Sequence, residues 1–236
     1  MAIKVAGTTV IDDSRILQNI SSLKEKFSIS NAAISGTIQF DIKSGNVQHY
    51  ARDPGANWVL NVRGDSSTSL ASLVNVGEST TIVNSVTIGS VGYYNTSVTI
   101  DGTSNGVFLK WLGGTAAYYT INSSDIYSYT ILRTGPTLSG VSITGTSGQI
   151  SFTTTSGTVA VGQSVYITGT LGGTGSISGY SSSGTLYYII ATNGSTTATI
   201  ATTIGAVTGV TTTAGTPTGL TYNPTYTVLA ARSSYS

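Results

Sequence analysis

From Thr134 to Ala231 the chain carries no charged side chain, whereas eighteen of its nineteen Asp, Glu, Lys and Arg residues precede that stretch. A segment without ionic groups must present hydroxyls and backbone to water, and this one is built largely of Thr, Ser and Gly alternating with Val, Ile and Tyr. Those are residues of pleated, half-buried surfaces. Disorder would need low hydrophobicity as well as its own polar composition, but 39% of the 236 residues are hydrophobic and mean hydropathy is +0.18. The composition shift coincides with the turn signal Gly135-Pro136. Three parts follow: residues 1–33, 34–134 and 135–236.

The first part reads as an extended arm over Ala2–Val10 and then a short helix. Asp12, Asp13 and Ser14 supply N-cap and first-turn residues for it. Ile16, Ile20, Leu23 and Phe27 recur at 4-3-4 spacing, a two-heptad seam. So short a helix is marginal alone, so the seam is read either as a face packed on its own domain or as a docking and oligomerisation element. The expected end of the helix is residue 27.

The second part predicts strands over 36–42, 56–62, 81–88, 93–100, 107–112 and 126–132, separated by turns such as Asp53-Pro54-Gly55, Asp101-Gly102 and Gly113-Gly114. The third predicts strands over 141–144, 149–155, 165–170, 185–191, 196–201 and 209–213, with Asn193-Gly194 as a hairpin turn. No helical rhythm separates these strands. The expected fold is therefore all-β: two antiparallel β-sandwich domains, jelly-roll-like or Ig-like, preceded by the arm and helix. One further apolar run, Tyr226–Ala230, has no assignable partner.

The residues of catalysis are sparse. The single histidine, His49, reads as a loop residue, and no Gly-X-Ser-X-Gly elbow accompanies it. Zero cysteines and one histidine leave no zinc set. Asp101 and Asp125 have the residue type of a glycosidase pair, but they read better as a turn residue and a strand-start cap. Arg63-Gly64-Asp65 has an integrin-binding spelling and falls where a strand ends in a glycine turn. The Asn-X-Ser/Thr sequences at Asn19, Asn95, Asn122 and Asn193 are expected by composition alone. We therefore expect no catalytic residue, metal or cofactor. The net charge of +1 gives no reason to expect nucleic acid. No apolar run reaches membrane-spanning length, and the first ten residues lack the apolar core of a signal peptide. The aromatic residues stand out instead. Tyr93-Tyr94 and Tyr118-Tyr119 are doublets, and an extended doublet points its rings to opposite faces, so at least one ring of each pair should reach a surface or interface.

The opening residues 1–15, Met-Ala-Ile-Lys-Val-Ala-Gly-Thr-Thr-Val-Ile-Asp-Asp-Ser-Arg, with Leu17 and Asn19-Ile20, resemble the N-terminal stretch of many tailed-bacteriophage tail-fibre and virion structural proteins. A module of such proteins is similar to the series Asn61-Val62-Arg63-Gly64, Val86-Thr87-Ile88-Gly89, Tyr93-Tyr94, Ile100-Asp101-Gly102, Lys110-Trp111 and Asp125-Ile126-Tyr127. Val161-Gly162-Gln163 and Ile167-Thr168-Gly169 resemble Thr/Gly-rich modules of phage appendages more loosely. The resemblance implies a non-enzymatic virion component, made in the host cytoplasm. It would be a homo-oligomer, most often a trimer, among other tail or capsid proteins, and the arm and seam of residues 1–33 are the segment expected to hold it there. Two placements stay open, a tail fibre or appendage that meets a host glycan or receptor and a capsid-decorating (cement) protein. A glycan-binding or glycan-degrading module is a third class.

Overall fold

The computed structural model describes residues 3–5, 8–11, 26–115, 118–154 and 157–235. The protein is all-β, as its period-2 alternation requires. Strands β1 (Ile3–Val5) and β2 (Thr8–Ile11) pair antiparallel as a small separate sheet. The helix expected after them falls on residues 12–25, outside the described residues, and Ile16, Ile20 and Leu23 go with it. Phe27 does not. It opens strand β3 (Phe27–Ser30), where its side chain is 54% exposed, and it is not a helical seam residue. Backbone pairing with a neighbouring strand overrides the heptad spacing there.

From β3 the chain winds. It passes through β4 (Gly36–Asp41), β5 (Val47–Tyr50), β6 (Trp58–Arg63), β7 (Ser79–Ile88) and β8 (Asn95–Ile100). The odd-numbered strands stack in parallel, Phe27 beside Val47 and Val47 beside Val83. The even-numbered strands stack in parallel in a second sheet, Gly36 beside Trp58 and Trp58 beside Asn95. From β4 to β7 each strand is thus the crossover between two strands of the other sheet. The expectation of antiparallel pairing throughout is corrected here. Parallel neighbours need a long crossover, usually a helix, and in this chain the facing strand supplies it. Alternation in sequence reports which face a residue takes and is silent on strand direction.

After β9 (Val107–Trp111) and β10 (Ser123–Gly135) the chain leaves this body. It forms β11 (Leu138–Ile143), β12 (Gln149–Thr154), β13 (Ser164–Gly173), β14 (Ser176–Ile177), β15 (Thr185–Thr192), β16 (Thr197–Ala201), β17 (Thr212–Thr213) and β18 (Pro217–Asn223). Six of these close a barrel in the order β11-β12-β16-β15-β13-β18, all pairs antiparallel, with β14 and β17 as a side ribbon. A closed barrel stands where an open sandwich was expected. Open sheets guard their edges with charges; the six barrel strands carry none, and closure leaves that sheet without an edge.

The unassigned run Tyr226–Ala230 finds its partners in β19 (Thr225–Tyr235). This strand returns to the body and pairs antiparallel with β10 from Gly135↔Thr225 to Ser124↔Tyr235, and parallel with β9. The barrel is therefore inserted between β10 and β19. Tyr226, Val228 and Ala230 belong to the first hydrophobic core, with Trp58, Leu60, Tyr127 and Tyr129, so residues 225–235 pack with the second part of the chain and not the third. The completed sheet runs β3-β5-β7-β10-β19-β9 and faces the three-stranded sheet β4-β6-β8. At the junction Thr225 is fully buried, its hydroxyl bonded to those of Ser164 (2.8 Å) and Thr134 (3.0 Å).

The register gives the body two ends. Gly135 and Thr225 lie at the barrel end; Ser123, beside Ile88, lies at the other. Tyr50 is level with Val86 and Asp125, so the β5–β6, β7–β8 and β9–β10 connections gather at the end away from the barrel.

Candidate functional site

Those three connections are tied to one another. The Gly89 N–H donates to Asp53 Oδ1 (2.8 Å), the Asn122 N–H to Gly89 O (2.8 Å), and the Tyr94 N–H to Asn57 Oδ1 (3.0 Å). Asn122 adopts φ 51°, a left-handed conformation that asparagine tolerates better than most residues. On this frame the two tyrosine doublets meet. The Tyr94 ring lies 5.7 Å from that of Tyr118 and 6.2 Å from that of Tyr119. Tyr118 is 71% exposed and Tyr119 43%. Tyr93 turns the other way and packs against the first core. Residues 93 and 94 precede β8 and are not in a strand, and the structure joins Tyr94, Tyr118 and Tyr119 into one patch. A side chain at Gly92 would collide with the Tyr119 ring, so glycine is what lets that ring lie on the loop.

A buried ion pair fixes the loop that carries Tyr118 and Tyr119. Asp125 is fully buried in β10 and receives Arg232 Nε at 2.8 Å and a terminal guanidinium nitrogen at 2.7 Å. The same guanidinium bonds Thr120 Oγ1 at 2.7 Å, one residue beyond the doublet. Ser123 Oγ closes the network on Thr120 O and Asp125 Oδ1. Burial, reinforced by the Asp125 charge, pushes the Tyr127 phenol far above its ordinary value, so it stays neutral. The patch that results offers three phenol rings with apolar faces and hydroxyl tips, suited to stacking on a sugar ring or to a protein contact.

The other sequence candidates hold turns. Asp101 does not meet Asp125: it accepts the Leu70 N–H (2.6 Å) and Ala71 N–H (3.3 Å), and it sits with Gly102 in a turn where both residues have positive φ. Arg63 pairs with Asp41 (2.6 Å) and Asp65 with Lys43 (2.5 Å), so both charged ends of Arg63-Gly64-Asp65 are engaged within the fold. The Lys43 ammonium and the Ser67 N–H hold the Asp65 carboxyl well below the usual range. His49 is a strand residue of β5 rather than a loop residue, and its Nδ1 lies 3.1 Å from Ser85 Oγ. Asn95 is fully buried, with its amide bonded to Trp58 O and Ser97 O. All six carboxylates among the described residues, those of Asp41, Asp53, Asp65, Glu78, Asp101 and Asp125, thus accept hydrogen bonds from the protein. Among these residues no group of three or more His, Cys, Asp or Glu could hold a metal ion.

Sequence reasoning singled out the tyrosines and missed what positions them. Arg232 lies 107 residues from Asp125, so no local signal links them. Nothing local in the sequence marks Gly92 among the many glycines; its role comes from the Tyr119 ring beside it in space. Asp53 was visible as the first residue of a turn, and its bond to Gly89 was not.

Compared with family models, with curated proteins and with solved structures, the chain has no match.

Proposed function

We propose that this chain is a non-enzymatic structural component of a tailed-bacteriophage virion. It is a homo-oligomeric tail-fibre or appendage protein, held to the particle through residues 1–33 and meeting the host surface through Tyr94, Tyr118 and Tyr119. The observation that carries this reading is the tyrosine patch: three rings converge on braced loops at the end of the body away from the barrel. The chain enters β3 at the end of that strand nearer the barrel, because β3 runs parallel to β7 and β7 antiparallel to β10. Attachment on that side leaves the patch pointing outward. The six carboxylates among the described residues support the non-enzymatic part, since each serves a turn, a loop or an ion pair. The opening sequence supplies the phage context. A capsid-decorating role is the second reading; it is favoured by the charge-free barrel, which can pack against other particle proteins without burying ions.

The test uses particles carrying Tyr118→Ala and Tyr119→Ala. They should assemble normally, with the chain present by immunoblot, and adsorb to host cells about tenfold more slowly. Unchanged adsorption refutes the contact role, and absence of the chain from purified particles refutes the virion role. Antibody labelling of intact particles separates tail from head.

A further inference from the structure

The two outer faces of the body differ in kind. On the three-stranded sheet the outward row is ionic and amide-rich: Arg63 pairs with Asp41, Asn61 Nδ2 donates to Gln39 Oε1 (2.6 Å), and Thr99 Oγ1 donates to Asn61 Oδ1 (3.0 Å). This is a face dressed for water. The outer face of the six-stranded sheet carries nothing of the sort. One row across it reads Phe27, Val47, Val83, Ser128 and Ala231; the next reads Ile29, His49, Ser85, Ile126 and Ser233. Thr130 and Leu229 continue the face towards the barrel. Phe27, Ile29 and Leu229 are 54%, 62% and 47% exposed. Lys110, on edge strand β9, is the one permanent charge that the described strands turn to this side.

We infer that this face is where copies of the chain pack against one another. The inference rests on the homo-oligomer reading above and assigns its surface. A second copy fits for two reasons. Apart from Lys110 at its edge, the face carries no permanent charge, so its centre brings no like charges together when it meets itself and offers little to pair with an acidic or basic macromolecule. Its extent also suits. Six strands of four to thirteen residues, spaced about 4.8 Å and rising about 3.4 Å per residue, cover roughly 750 Å², close to the ~800 Å² each partner contributes to a standard interface. Aliphatic side chains at the centre would exclude water, while Ser85 and Thr130 are already paired within the face, with His49 (3.1 Å) and Thr81 (3.0 Å), and so cost little to cover.

The test is the solution mass by light scattering of the full-length chain at micromolar concentration, alongside Val83→Lys, Ile126→Lys and Leu229→Lys. Leu229 is already half exposed, so its variant keeps the test decisive if a more central one fails to fold; retained tryptophan fluorescence verifies folding. Thr37→Lys, exposed on the opposite sheet, controls for added charge. The expected result is a parent of at least twice the 24.1 kDa chain mass, an unaffected Thr37→Lys, and face variants that dissociate at about tenfold or more higher concentration. Oligomers that resist every face substitution overturn this surface and leave the oligomer reading standing. A 24.1 kDa parent overturns both, whether the face is covered by residues 1–25 or by a different protein.

Discussion

Arg232→Ala should destabilise the body more than Asp125→Ala, although the two side chains form one ion pair. The reason is where the surviving charge is left. The Asp125 side chain has no exposure, whereas the Arg232 side chain retains 12%. Each of the two charge-assisted bonds, at 2.8 and 2.7 Å, is worth about 1.5–3 kcal/mol. With Asp125 gone the guanidinium can swing to water, and the loss should stay near 2 kcal/mol. With Arg232 gone a carboxylate is stranded in the interior, and the loss should reach about 3–5 kcal/mol. For a chain of this size that lowers the melting temperature by about 6–20 °C. The double variant should be no worse than Arg232→Ala alone, because no unpaired charge remains. Tryptophan fluorescence during urea or thermal unfolding is the right assay, since Trp58 and Trp111 both belong to the first core and the barrel has no tryptophan. A loss under about 1 kcal/mol for Arg232→Ala, or a larger loss for Asp125→Ala, would refute the reasoning.

Three further outcomes are expected. Gly92→Ala places a methyl against the Tyr119 ring; it should weaken host adsorption of assembled particles while the urea midpoint moves little, and unchanged adsorption would show that Tyr119 takes no part in the contact. Arg133 is buried, and a guanidinium nitrogen donates to Ala71 O (2.5 Å) and Val74 O (2.9 Å), so Arg133→Met should cost about 2–4 kcal/mol in urea unfolding through carbonyls left unpaired; a neutral result would mean that water replaces it. In the barrel, burial pushes the Tyr187 and Tyr222 phenols up to about 12. The unfolded chain ionises near 10, so barrel stability is intact below pH 10 and falls as pH rises from 10 towards 12. An ultraviolet titration should show these phenolates appearing together with loss of barrel circular dichroism, and phenolate formation without unfolding would contradict the burial.

By itself the sequence determined the all-β class, most strand positions and the tyrosine doublets, because alternation and turn chemistry act over a few residues. It marked the break at Gly135-Pro136, because charge content is readable without any fold. It could not show that β3, β5 and β7 stack in parallel, since the faces a strand presents are the same in either direction. The seam spacing at Phe27 lost to strand pairing for a related reason: the competing backbone partner, Val47, is invisible to local pattern. Barrel closure, the return of β19 to the first core, and the Arg232 brace on Asp125 and Thr120 join residues tens to more than a hundred positions apart. Only the tertiary structure could decide these, because their energies come from burial and register shared between distant segments. The tyrosine patch lies on that line. Its rings were legible one doublet at a time, and their convergence at one end of the sheet depended on the winding that brought three separate loops together.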